Sequence, residues 1–270
     1  MKRGKGYIGV FDSGFGGLSV LKEITKALPH YRYVYLGDSA RAPYGTRSAE
    51  TVDQFTFEAV DFLFDKGCEL VIIACNTASA ESLRQVQQRL SGKRRVLGVI
   101  VPMVEEVAMN EGKRIGVLAT SRTVLSDAYP RELKKRMRAI VFQQAAPLLV
   151  PLIEEGEHRS IPGRTILKQY LQPLLAHRID TLILGCTHYG HLEAMIRTMV
   201  PKNIRIISGG KIVSGRLKEY LSRHKELETR LAHGRGVTFY STDLTERFNR
   251  MGSAFYGSPV KVRRAKLGKC

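Results

Sequence analysis

Short runs of Val, Ile and Leu recur along this chain. Each ends on small polar residues and is followed by a stretch with helical periodicity. "YIGVFDSG" (7–14) precedes "GLSVLKEITKAL" (17–28), and "YRYVYLGDSA" (31–40) precedes a long amphipathic segment, 48–67, stopped by Gly67. "CELVIIACNTAS" (68–79), "RVLGVI" (95–100), "KRIGVLATS" (113–121), "IDTLILGCTHYG" (179–190), "NIRIISGG" (203–210) and "GVTFYST" (236–242) continue the series. Continuous apolar strands separated by helices specify an α/β fold, with mostly parallel sheets covered by helices on both faces. Pro102 is placed to open a helix, another helix is expected over about 123–137, 236–242 reads as the last strand, and Asp243 reads as the cap of the final helix.

Ligands of such folds bind beyond the C-terminal ends of the strands. There the chain puts Asp12-Ser13, Cys75-Asn76-Thr77 and Cys186-Thr187-His188. The series also echoes itself. "YIGVFDSG" resembles "RIGVLATS" (114–121) at an offset of 107 residues, and "LVIIACNT" resembles "TLILGCTH" at an offset of 111. Two similar offsets point to two halves of like topology, with one cysteine at a strand end in each half, facing a shared cleft.

The four cysteines, Cys68, Cys75, Cys186 and Cys270, show no CxxC spacing of a zinc or iron–sulfur site. With no export signal pattern a disulfide framework is not expected. No stretch approaches 18 continuous apolar residues, so no membrane insertion is expected, and the natural location is cytoplasmic. Cys68 reads as a small buried hydrophobe and Cys270 as an incidental terminal residue. Cys75 and Cys186 each follow a buried strand and precede a helix start, where backbone N–H groups and the helix dipole favour a thiolate.

The formal net charge is +18, concentrated in "QQRLSGKRR" (87–95), "RELKKRMR" (131–138) and "KVRRAKLGK" (261–269). Such charge attracts nucleic acid or steers anionic substrates. No zinc finger, basic zipper or RNA-binding aromatic signature accompanies it. The glycines of "DSGFGGLSV" lack the spacing of a dinucleotide loop, and no phosphate-loop lysine follows.

Two thiols on opposite sides of one carbon can act as a base and an acid, removing a proton from one face and returning one to the other. A thiol pKa near ~8.5 lies close to neutral, so modest tuning poises it for that task. Asp12, Ser13, Asn76, Thr77, Thr187 and His188 supply short polar groups beside the thiols, suited to an amino acid's carboxylate and amine and to an enolate-like charge. Tyr44-Gly45 forms a compact loop with a possible N–H nest.

"FDSGFGGLSV" (11–20), "YLGDSARAPYGTRS" (35–48), "ACNTASA" (74–80) and "LGCTHYGHL" (184–192) together resemble the motifs of glutamate racemases, within the aspartate/glutamate racemase superfamily, in order and over roughly 7–255. The resemblance implies two similar three-layer α/β domains with the active site between them. The first domain would comprise 1–97 with 210–270 and the second 98–209. It implies interconversion of L- and D-glutamate without pyridoxal phosphate or metal, with D-glutamate destined for peptidoglycan. Cys75 would serve the D-isomer with Asp12 assisting, and Cys186 the L-isomer with Glu154 and His188 assisting. Substrate contacts would come from Ser13, Pro43, Tyr44, Gly45, Asn76, Thr77, Thr120, Thr123 and Thr187. Members of the family are often homodimers, and some are reported to associate with DNA gyrase.

The chain departs from the family pattern in three places. "ATxGT" reads "ATSRT", with Arg122 in the glycine position. "HYP" reads "HYG" at Gly190, and "IDSG" reads "ISGG" at Ser208. The alternatives are an aspartate racemase of the same superfamily, a binding protein with inert thiols, and a nucleic-acid-associated protein suggested by charge.

Overall fold

The structure, a computed structural model, describes residues 6–268. Cys270 lies outside them. The first half runs β1 (Tyr7–Asp12), α1 (Gly17–Ala27), β2 (Tyr33–Gly37), α2 (Ala49–Asp65), β3 (Cys68–Ile73), α3 (Asn76–Leu90) and β4 (Arg95–Gly98). A connecting helix α4 (Ile100–Met109) leads to β5 (Arg114–Ala119), α5 (Ser121–Leu125), α6 (Ala128–Lys134), β6 (Ile140–Ala145), α7 (Leu149–Glu154), α8 (Ile161–Ala176), β7 (Thr181–Gly185), α9 (Glu193–Met199) and β8 (Arg205–Ile207). The chain then returns through α10 (Gly209–Arg223), α11 (Lys225–Glu228), β9 (Val237–Ser241), α12 (Glu246–Tyr256) and β10 (Val262–Arg264).

The strands form two sheets, ordered β10-β9-β2-β1-β3-β4 and β6-β5-β7-β8, and every pairing between them is parallel. The inner order β2-β1-β3-β4 is the same as β6-β5-β7-β8, strand for strand. The echo seen in the sequence is therefore a repeat of topology: β1 corresponds to β5 and β3 to β7. In each sheet the chain first winds to one side and then crosses back, so a crevice opens between β1 and β3, and between β5 and β7. Both cysteine-bearing turns leave the second strand of such a crevice.

Local chemistry sets the boundaries. Ser48 caps α2 by accepting the Thr51 N–H at 3.2 Å, and Gly67 ends it at a φ of +84°. Three expectations shift. The helix expected over 123–137 breaks into α5 and α6, because Asp127 takes a left-handed φ of +51° between them. The cap of α12 is Thr245, whose hydroxyl accepts the Phe248 N–H at 3.1 Å, and not Asp243. The last strand is β10, which adds Arg263 and Arg264 to the sheet edge beside β9. Exposed basic residues on an edge strand oppose pairing with another chain, a use for that charge that composition alone does not show.

Among the described residues, no helix is long and apolar enough to cross a membrane. Cys68 is buried at the start of β3, at the far end of that strand from Cys75.

Candidate active site

One cavity lies where the C-terminal ends of the two sheets face each other. It is lined by Ser13, Pro43, Tyr44, Gly45, Thr46, Cys75, Asn76, Thr77, Thr120, Pro147, Val150, Pro151, Cys186, Thr187 and His188. The structure thus brings together eleven of the fourteen residues expected from the sequence. The other three stand directly behind the wall. Asp12 is fully buried and accepts the Gly14 N–H at 2.9 Å and the Thr187 hydroxyl at 3.4 Å. Glu154 backs His188, and Thr123 backs Thr77 and Thr120.

The Cys75 side is tightly enclosed. Cys75 is the N-cap of α3, and Ser13 Oγ lies 3.5 Å from its sulfur. Helix N-terminal N–H groups favour a thiolate there, as the sequence suggests. Burial and the Asp12 carboxylate nevertheless outweigh that help, including the Ala78 N–H, and push the Cys75 thiol up to about 12. Burial also raises the Asp12 carboxyl, against the pull of His188 and of its hydrogen bonds.

The Cys186 side is built differently. Cys186 is only partly buried, and the turn after it, Thr187–Leu192, is a 3-10 helix and not the α-helix start expected from the sequence. Its charge partner is a side chain. His188 Nδ1 lies 3.9 Å from the Cys186 sulfur, and Nε2 lies 3.0 Å from Glu154 Oε1. Burial alone would lower the His188 pKa, but Cys186 and Glu154 together raise it to about 10, so the ring is an imidazolium at neutral pH. Arg247 of α12 in turn donates to Glu154 Oε2 at 3.3 Å and pairs with Glu155 at 2.6 Å.

The two halves close on each other through glycines. A Cβ on Gly16 would sit 2.2 Å from Thr187 Oγ1 and 2.5 Å from His188 Nδ1. A Cβ on Gly45 would sit 2.7 Å from Thr120 Cβ. Gly16 of "DSGFGG" is therefore a point of close packing between the halves and not part of a phosphate loop. Thr77 of α3 meets Thr120 and Thr123 of the other half at 2.9 and 3.3 Å, hydroxyl to hydroxyl.

Sequence reasoning missed Tyr129, which is fully buried and donates from its hydroxyl to Asn76 Oδ1 at 2.7 Å. That bond occupies the carbonyl of Asn76 and turns its NH₂ into the group free for a ligand. Asp38 was missed too. It accepts the Tyr44 hydroxyl at 2.5 Å, Arg41 Nε at 2.7 Å and the Thr242 hydroxyl at 2.8 Å. The Tyr44 phenol is thus tied into the wall, leaving the loop's backbone to face the cleft. Of the departures, Ser208 donates to Glu193 at 2.6 Å, and Arg122 pairs with Glu81 at 2.5 Å.

The family described as Asp/Glu/Hydantoin racemase matches residues 8–214. A protein named glutamate racemase from Exiguobacterium sibiricum is 37% identical over 266 residues, covering 97% of this chain and 96% of that one. The solved structure of a glutamate racemase from Francisella tularensis, in complex with D-glutamate, superposes with a TM-score of 0.89 at 32% identity, covering 97% of this chain and 98% of that one. An aspartate racemase from Picrophilus torridus shares the fold at a TM-score of 0.54 and 18% identity, over 85% of this chain and 96% of that one.

Proposed function

This chain belongs to the Asp/Glu/hydantoin racemase family, and on that premise we propose that it interconverts L- and D-glutamate by a two-base reaction between Cys75 and Cys186. The observation that carries the reading is one thiol from each half lining a single cavity. Each thiol is backed by its own acid–base partner, Asp12 on one side and His188 with Glu154 on the other.

The chemistry follows from proton balance. A thiolate on one side takes the Cα proton and becomes a thiol. The electron pair spreads into the α-carboxylate, where Ser13, Asn76, Thr77, Thr120 and Thr187 offer hydroxyl and amide donors against the developing charge. The thiol on the other side delivers its proton to the opposite face of Cα and is left as the thiolate. Cys186 starts on the L-isomer and Cys75 on the D-isomer. His188, protonated at neutral pH, balances the negative charge beside Cys186. Asp12, with its carboxyl raised, stands ready to exchange a proton near Cys75.

Glutamate is favoured over aspartate because the glutamate racemases from Exiguobacterium sibiricum and Francisella tularensis are 37% and 32% identical, whereas the aspartate racemase from Picrophilus torridus shares the fold alone. A single methylene is worth only ~1–3 kcal/mol of discrimination, so relative rates on the two amino acids are the direct check. Within the same reading, D-glutamate supplies bacterial peptidoglycan, the protein acts as a homodimer, and residues 1–97 with 210–270 and residues 98–209 are its two domains.

The test is circular dichroism of L-glutamate with purified protein and no added cofactor, run alongside uptake of solvent deuterium at Cα. Optical rotation is expected to decay to zero as deuterium enters. Racemisation unchanged in both Cys75→Ser and Cys186→Ser would overturn the two-base reading.

A further inference from the structure

The two halves of the cleft are also joined by an ion pair that lies outside the cavity. Arg122 is the second residue of α5, in the β5–β8 half. Its Nε lies 2.5 Å from Oε1 of Glu81, on α3 in the β1–β4 half. The side chains retain only 20% and 12% of their exposure. The two atoms make a charge contact without hydrogen-bond alignment.

The positions of the pair matter more than its distance. Glu81 lies one turn of α3 beyond Thr77, and Arg122 immediately precedes Thr123. The pair therefore runs alongside the buried hydroxyl cluster of Thr77, Thr120 and Thr123, which crosses from one half to the other. Hydroxyls can bond equally well to water, so by themselves they do little to oppose opening. A mostly buried pair of opposite charges opposes it more, because the Coulomb attraction lost on separating the halves is only partly repaid by rehydration of each charge.

We propose that Arg122 and Glu81 form an interdomain clasp, a pair of positioning residues that hold Thr120 and Thr123 in register with Thr77 and favour the closed cleft. Neither residue lines the cavity, so neither touches substrate. The clasp stabilises the closed state and leaves the proton-transfer groups where they are. Its loss raises KM, while kcat stays near its original value or rises if release of product limits turnover.

The kinetic part of the inference rests on the racemase reading, and the experiment separates the two. Arg122→Gln and Glu81→Gln are each expected to raise KM for glutamate about fivefold with kcat within about twofold. The exchanged pair, Arg122→Glu with Glu81→Arg, is expected to recover most of that loss. KM of the unaltered protein should climb with salt more steeply than KM of Arg122→Gln, because salt screens a partly exposed pair. Small-angle X-ray scattering without substrate reads closure independently of activity, with the single variants more extended than the unaltered protein and the exchanged pair. Arg122→Lys, which keeps the charge, guards against a variant that fails to fold. Unchanged KM and unchanged scattering in the single variants overturn the clasp and leave the racemase reading intact. Expansion in the single variants, with no racemisation by the unaltered protein, supports the clasp and sinks the racemase reading. No recovery in the exchanged pair, with all proteins folded, also overturns the clasp.

Discussion

The two halves of the cleft repeat one strand order, yet they equip their thiols in opposite ways. On the Cys75 side the cysteine stands at the N-cap of a 15-residue helix, and its sulfur is buried and faces a carboxylate. On the Cys186 side the sulfur opens a 3-10 turn, is less buried, and faces an imidazolium held by Glu154. Topology alone would have made the pair symmetric. The side chains break that symmetry so that one sulfur sits beside an anion and the other beside a cation. The two sulfurs therefore stand in fields of opposite sign, with the Cys75 thiol pushed up by burial and Asp12 and the histidine beside Cys186 raised.

The largest test removes one sulfur at a time. Cys75→Ser and Cys186→Ser should each lower racemisation by at least about a thousandfold, within the range a positioned acid or base contributes. The variants should then diverge. Each retains Cα exchange with deuterium from the one enantiomer its surviving thiol can attack, D-glutamate for Cys186→Ser and L-glutamate for Cys75→Ser. Mass spectrometry of each recovered enantiomer reads this directly. Equal exchange from both enantiomers in either variant would remove the assignment of sides.

The next test reverses the charge arrangement without touching sulfur. Glu154→Gln removes one of the groups that hold the His188 pKa near 10, so that pKa falls toward its ordinary 6.5. A raised histidine contributes stability that is complete below the unfolded pKa and is lost as pH climbs through the folded one. The unaltered protein should therefore still keep part of this contribution at pH 8, and Glu154→Gln should have lost most of it there. Melting temperature measured from pH 6 to 10 checks the sign. Turnover should fall by roughly ten- to a hundredfold in the variant, most steeply above neutral pH. Asp12→Asn acts on the opposite side, removing the carboxylate that helps hold Cys75 up, so alkylation of Cys75 should begin at lower pH.

How much of this was legible in the sequence follows from which contacts are local. The strand ends and the positions of Asp12, Ser13, Cys75, Asn76, Cys186, Thr187 and His188 follow from apolar runs that stop on polar residues, a pattern set within a few neighbours. The duplicated strand order was visible in two offsets. The asymmetry between the thiols was not, because it depends on burial and on partners far along the chain, such as Glu154 with His188 and Thr187 with Asp12. The break at Asp127 and the strand β10 escaped for a related reason. A left-handed residue between two helical stretches and a three-residue edge strand both leave almost no periodic trace. The link from Tyr129 to Asn76 spans 53 residues and both halves, and nothing in "SDAYP" announces it.

That link gives a third, smaller test. Tyr129→Phe leaves the Asn76 carbonyl buried without its donor, at a cost of about 1–3 kcal/mol. Lower urea stability is expected, with KM up several-fold, since the Asn76 amide is no longer fixed toward the cleft. A variant with unchanged KM would show that Asn76 does not depend on Tyr129 for its orientation.

The smallest effect is expected at Tyr44→Phe, on the Cys75 wall. The phenol is buried and points at Asp38, which keeps Arg41 and Thr242 as partners when the hydroxyl is removed. Asp38 therefore remains satisfied, and only the net worth of one hydrogen bond is lost, about 1 kcal/mol. KM should stay within about threefold, because the loop meets the cavity through the backbone around Gly45, where close approach to Thr120 leaves no room for a Cβ. A rise in KM of tenfold or more with unchanged urea stability would mean that the hydroxyl turns from Asp38 to the substrate. The enclosure of the Cys75 side would then be incomplete, and the contrast between the two halves would narrow to the charges beside their sulfur atoms.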